Sequence, residues 1–168
     1  MVSLIGHPPA GAATGDGAPQ GGGQGRFIAV DSDEIAITNV KVIDGTGAEP
    51  LENQTVIIRD GLIAQIGASE TVRPSATAEV IDGSGHTLIP GLVGLHNHTF
   101  YTAAGGRMAQ LSTTGPIMYL ASGVTTIRTT GAMSPYEELN LKAEIDAGRR
   151  IGPRIFVTGP YLNAQSND

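Results

Sequence analysis

Apolar and polar positions alternate with a period of two through the first half of the chain, then give way to longer apolar runs. Ile35-Ala36-Ile37-Thr38-Asn39-Val40-Lys41-Val42-Ile43 alternates and is rich in β-branched residues, the pattern of a half-buried strand. Residues 55–59 and 62–66 repeat the pattern on either side of Asp60-Gly61. That dipeptide suits a type I′ turn, in which both central residues need positive φ, so a β-hairpin is expected. A further short strand over residues 79–81 ends at Asp82-Gly83-Ser84-Gly85. Short strands of this kind suggest a small antiparallel β-sandwich segment.

Beyond His86 the pattern changes. Leu92-Val93-Gly94-Leu95 is continuously apolar, as in strands buried on both faces. A helix over residues 116–122 stops at Gly123, and a second strand covers residues 124–128. The next helix opens on Ser134 as N-cap, with Pro135 at the first helical position and Glu137 completing a capping box. Glu138 and Lys142 are expected to pair at i,i+4, with Leu139/Ala143 and Leu141/Ile145 facing inward. A third strand spans residues 154–158. The order β-α-β-α-β implies parallel strands, hence an α/β fold.

Residues 1–26 are rich in Gly, Ala and Pro and are expected to form a disordered tail, too poor in apolar surface to offset its ordering entropy. Residues 27–89 then form the sandwich segment and residues 90–168 the α/β part. The glycines at 21–23 and 25 lack the Lys-Ser/Thr and the preceding strand that a phosphate loop requires. The net charge of −6 with no basic cluster argues against nucleic acid or an anionic membrane surface as partner. Cysteine is absent, which excludes disulfides and thiolate metal sites. No apolar run reaches the roughly 20 residues of a membrane span, and no signal peptide is evident, so a cytoplasmic location is the default expectation.

His96-Asn97-His98 carries the candidate chemistry. Side chains at i and i+2 of a strand point to one face, so both imidazoles can converge on one metal ion. Two imidazoles suit zinc best among divalent metals. The pair ends the first strand of the α/β part, and the C-terminal ends of parallel barrel strands form the active-site face. Tyr101, just beyond the pair, and Arg128, at the end of the second strand, are candidate substrate contacts. For Arg128 a structural ion pair is the stronger alternative. His86 lies in a Gly-rich turn and reads as an exposed loop residue, and no GxSxG nucleophile pattern is present.

Val42-Ile43-Asp44-Gly45, Asp60-Gly61-Leu62-Ile63, Ile81-Asp82-Gly83-Ser84-Gly85-His86 and Pro90-Gly91-Leu92-Val93-Gly94-Leu95-His96-Asn97-His98 together resemble the amidohydrolase superfamily. Gly123-Val124-Thr125-Thr126-Ile127-Arg128, residues 141–148 and Gly152-Pro153-Arg154 continue the resemblance, which is nearest to the branch of imidazolonepropionase-like and Xaa-Pro dipeptidase-like proteins. It implies a (β/α)8 TIM-like barrel, of which this chain would supply about three of eight strands. It also implies metal-dependent hydrolysis of carbon–nitrogen bonds in small amide, cyclic amide or peptide-like substrates, with one or two divalent ions and a possible homo-oligomer in the full-length protein. Many members carry Asp two residues before the first histidine of the pair, where this chain has Gly94. The family's bridging carboxylated Lys or Glu, two further His and catalytic Asp map to no residue here. No catalytic residue is therefore assigned, and the 168-residue chain alone is expected to be inactive and poorly stable. A non-catalytic fragment is the alternative reading.

Overall fold

The computed structural model describes the backbone of residues 2–5 and all of residues 27–162. The chain divides into two units, Met1–Pro90 and Gly91–Asp168.

The first unit is one six-stranded sheet: β1 (Val2–Ile5), β2 (Glu34–Val42), β3 (Leu51–Arg59), β4 (Leu62–Ala68), β5 (Glu79–Asp82) and β6 (Thr87–Pro90). The order is β1-β6-β2-β3-β4, with β5 also beside β2. Asp60 and Gly61 join β3 to β4 with φ of 52° and 73°, the two positive values that a type I′ turn requires. The expectation of a purely antiparallel segment is corrected, because β5 and β6 both run parallel to β2. β2 bends at Asn39, whose φ is 55°. Residues before the bend pair with β5 and residues after it pair with β6, so one strand edge serves two partners. Apolar positions are buried on both faces. Ile37, Val40, Val42, Val56 and Leu88 make one cluster; Ala36, Ile57 and Val72 make the other. β1 corrects part of the expected tail, since Val2–Ile5 pairs antiparallel with β6. The short apolar start before Gly6 is enough to extend a sheet edge. The rest of the tail, residues 6–26, lies outside the described residues.

The second unit contains β7 (Leu92–Asn97), β8 (Phe100–Thr102), β9 (Met108–Gln110), α1 (Thr114–Ala121), β10 (Val124–Thr129), α2 (Pro135–Asp146) and β11 (Arg154–Phe156). Strands β11-β10-β7 form a parallel sheet in that order. Ile127 and Ile155 are neighbours in register and pack on Leu141, with Tyr119 and Ile145 beside them. Helices thus cover one face. The other is open: Val93 is 61% and Leu95 68% exposed, and Phe156 is exposed too. A first strand buried on both faces is therefore not what the described residues form. The stretch after His98 is the antiparallel ribbon β8–β9 closed by a 3-10 turn at Ala104–Gly106.

Helix α2 differs from its expectation in three ways. Ser134 occupies the N-cap position but makes no side-chain cap hydrogen bond, so the capping box does not form. Lys142 pairs with Asp146 rather than with Glu138. The buried stripe is Glu138, Leu141 and the partly buried Ile145, a helical i, i+3, i+7 set, while Leu139 and Ala143 are exposed.

Candidate metal centre

The end of β7 is irregular. Gly94 lies opposite Ile127 and Asn97 opposite Thr129, so β7 advances three residues while β10 advances two. The extra residue is a bulge, which re-aims the side chains beyond it. Gly94 and Asn97 consequently share a side, and a Cβ on Gly94 would lie 2.3 Å from Asn97 Nδ2. Leu95 lines the open face together with Val93, Thr126, Arg128 and Phe156.

The rings of His96 and His98 have centroids 5.5 Å apart and planes at 81°. Two imidazoles sharing one zinc, each with a nitrogen ~2.0–2.1 Å from the ion, place their ring centres roughly 5 Å apart at a tetrahedral angle. The observed separation fits that arrangement. His96 is exposed. His98 packs against Phe100 at 4.8 Å and Tyr161 at 6.5 Å, and its Nδ1 is buried without a hydrogen-bond partner. An orphaned ring nitrogen costs free energy unless a ligand takes it. Both observations suit a pair of nitrogen donors for a divalent cation. Among the described residues no group of three or more His, Asp or Glu is placed to hold a metal ion.

Three consecutive carbonyls around His98 are each held by a different element. Thr130 N–H donates to Asn97 O at 3.0 Å, the Tyr119 hydroxyl to His98 O at 3.0 Å, and Leu111 N–H to Thr99 O at 2.7 Å. The Tyr119 hydroxyl also meets that of Tyr101 at 2.7 Å. Burial raises the Tyr119 phenol well above its ordinary value, and the Tyr101 hydrogen bond adds to the rise. It therefore stays protonated and keeps its donor. Behind the segment, Thr99 Oγ1 donates to the buried Glu138 carboxylate at 2.7 Å and accepts from Gln110 Nε2 at 2.8 Å.

Tyr101 is exposed, 6.4 Å from His98 between ring centroids. Arg128 is exposed on the open face and donates to Leu95 O at 3.3 Å. It makes no ion pair among the described residues. Sequence reasoning missed Tyr119, Gln110 and Glu138. Glu138 was detectable, because the stripe 138/141/145 puts a carboxylate among apolar residues, whereas nothing local marks Tyr119 or Gln110.

No family model matches the chain. Known proteins do. An enamidase from Eubacterium barkeri is 35% identical over 128 residues, covering 74% of this chain and 31% of the relative. An imidazolonepropionase from Idiomarina loihiensis is 37% identical over 68 residues, covering 40% of this chain and 17% of the relative. A solved structure of a candidate prolidase from Bifidobacterium longum superposes with a TM-score of 0.67 and 34% identity, over 81% of this chain and 32% of that one. The chain thus spans a third or less of the length of these relatives. Parallel strands, an irregular β7 ending in two converging imidazoles, and these likenesses agree, and the chain belongs to the amidohydrolase superfamily.

Proposed function

We infer that this segment supplies the first two metal ligands, His96 and His98, of a hydrolase acting on carbon–nitrogen bonds of amide or cyclic amide substrates, with zinc as the metal. The carrying observation is the pair of rings 5.5 Å apart at the C-terminal end of a parallel strand, one bearing an unpartnered buried nitrogen. The barrel face expected to hold substrate is at that same end. A bound divalent cation would lower the pKa of a water ligand to about 7 and polarise the substrate carbonyl. The chain's own residues hold and orient. His96 and His98 present nitrogen donors, and the Tyr119 phenol fixes the backbone between them and the ribbon. Arg128, without a carboxylate partner among the described residues, is free to take a substrate carboxylate. A peptide-like substrate of the Xaa-Pro class is supported by the candidate prolidase likeness. Tyr101, beside His98, is placed to contact the substrate.

The test is metal content after dialysis against zinc, compared between the unaltered chain and the His96→Ala/His98→Ala variant. A zinc stoichiometry that falls in the variant supports the assignment. Equal content in both ends it. The non-catalytic reading for this chain alone has one specific observation in its favour: catalytic zinc sites use three protein ligands, and the described residues bring only two histidines together.

A further inference from the structure

We propose that Glu138 is a positioning residue for the histidine pair, acting through Thr99; the proposal rests on the metal-site reading above. Glu138 is 0% exposed, in the apolar stripe of α2 beside Leu141. One carboxylate oxygen accepts from Thr99 Oγ1 at 2.7 Å, and the other has no partner. Thr99 follows His98 directly and is itself 1% exposed. A carboxylate buried with one oxygen unsatisfied is a poor way to stabilise a helix–sheet core, and an apolar side chain of similar volume usually does better. Packing alone does not account for it. What the carboxylate does achieve is directional. It fixes the Thr99 hydroxyl, which in turn accepts from Gln110 on β9, so α2, β9 and the residue after His98 are tied at one oxygen atom.

The tie fixes where the backbone leaves β7 after the bulge, and with it the direction of the His98 ring. Groups behind the ligands tune metal affinity by orienting them, typically by 10–100-fold. The Tyr119 and Leu111 hydrogen bonds hold the backbone carbonyls of His98 and Thr99. The Glu138–Thr99 bond instead holds a side chain, and it can be removed by substitution while those backbone carbonyls keep their donors.

The experiment uses the full chain and two independent cuts of the same link, Glu138→Leu and Thr99→Val, with Glu138→Gln as the variant that keeps the shape and an acceptor oxygen. Zinc and cobalt affinities are measured by competition with a chelator, the cobalt spectrum reports coordination, and thermal unfolding is recorded without metal. We expect Glu138→Leu to unfold at the same or a higher temperature yet bind metal about 10-fold more weakly. Thr99→Val should weaken binding by a similar factor, with a lower unfolding temperature because it strands the Glu138 carboxylate, and Glu138→Gln should recover most of the affinity. If Glu138→Leu and Thr99→Val keep the parent affinity and cobalt spectrum, Glu138 has no positioning role. If affinity and unfolding temperature fall together in all three variants, the residue is structural and the proposal also fails. Failure of the metal-site reading is separate: there the parent chain and the His96→Ala/His98→Ala variant bind metal equally.

Discussion

The bulge in β7 makes a prediction that a regular strand would not. Gly94 and Asn97 are three apart, so in an unbroken pleat their side chains would lie on opposite faces. In the structure a Cβ on Gly94 would sit 2.3 Å from Asn97 Nδ2, 2.7 Å from Oδ1 and 2.8 Å from Cγ. Contacts between non-bonded heavy atoms are favourable near ~3.5–4.0 Å, so the amide must move by roughly 1 Å or more. Asn97 has little freedom, since its carbonyl already accepts from Thr130 N–H and its Nδ2 is buried without a partner. Gly94→Ala should therefore destabilise the second unit by about 1–3 kcal/mol, the usual cost of overpacking. In Asn97→Gly the obstruction is gone, and the same Gly94→Ala change should cost under ~0.5 kcal/mol. A double-mutant cycle read by urea unfolding measures the coupling, expected at 1 kcal/mol or more for groups in direct contact. Additive effects within about 0.3 kcal/mol would refute the shared face and with it the bulge. Gly94→Asp, which restores the acid that many relatives carry here, should be worse than Gly94→Ala in the parent and should be rescued by the same Asn97→Gly change.

Other consequences follow from single contacts. Leu141→Ala removes the centre of the helix–sheet core and should cost about 2–5 kcal/mol in unfolding free energy, measured by denaturant titration. Tyr119→Phe deletes the donor to His98 O and should cost about 1 kcal/mol, with faster amide hydrogen exchange around residues 98–101 as its local signature. Glu34 is held below the ordinary value of 4.5, first by the Ser75 backbone N–H and then by the Arg59 guanidinium. A depressed carboxylate contributes stability that is present above the unfolded value and is lost as pH falls through the folded one. Thermal stability of the first unit should thus fall as pH drops below about 4.5, and Glu34→Gln should flatten that dependence. The 168-residue chain with added zinc should show no turnover of amide or Xaa-Pro substrates in a product-release assay, because two histidines leave a catalytic site a ligand short.

Local signals were readable and non-local ones were not. Asp60-Gly61 specifies its own turn, since two consecutive positive φ values restrict the choice of residue. The helix stop before Gly123 and the alternation of strands and helices after residue 92 are likewise set by neighbours in sequence. Partner choice is different. Residues 79–81 read as one strand of an antiparallel segment, and nothing local signals that they pair parallel with β2. The i,i+2 spacing of His96 and His98 looks the same with or without a bulge before it, so spacing shows that the rings can meet but not how the strand delivers them. The capping box shows the limit of motif reading: Ser134 and Glu137 have the right types at the right distance, and the cap bond still does not form. For Glu138 the signal exists in the 138/141/145 stripe, but a carboxylate with a lysine four residues later ordinarily reads as a solvated surface pair.

The geometry around His98 bears on what the rest of a metal site would have to provide. Asn97, His98 and Thr99 carbonyls are bonded to three separate elements, the turn after β10, helix α1 and the end of β9. Each bond lies within the segment that contains the histidines, and none depends on a metal. The backbone is thus set before any ion arrives, and the ordering entropy of that stretch is already offset by folding. Ligands that arrive from elsewhere need only meet a donor pair of fixed separation. In a site ordered by the ion itself, binding and folding would be one event, as in zinc-dependent small domains. Here zinc should raise the unfolding temperature only by the mass-action amount for a ligand of a preformed site, and the His96–His98 separation should persist without it. The affinity of the isolated pair then reflects the number of donors present and how well the Glu138–Thr99 link holds them.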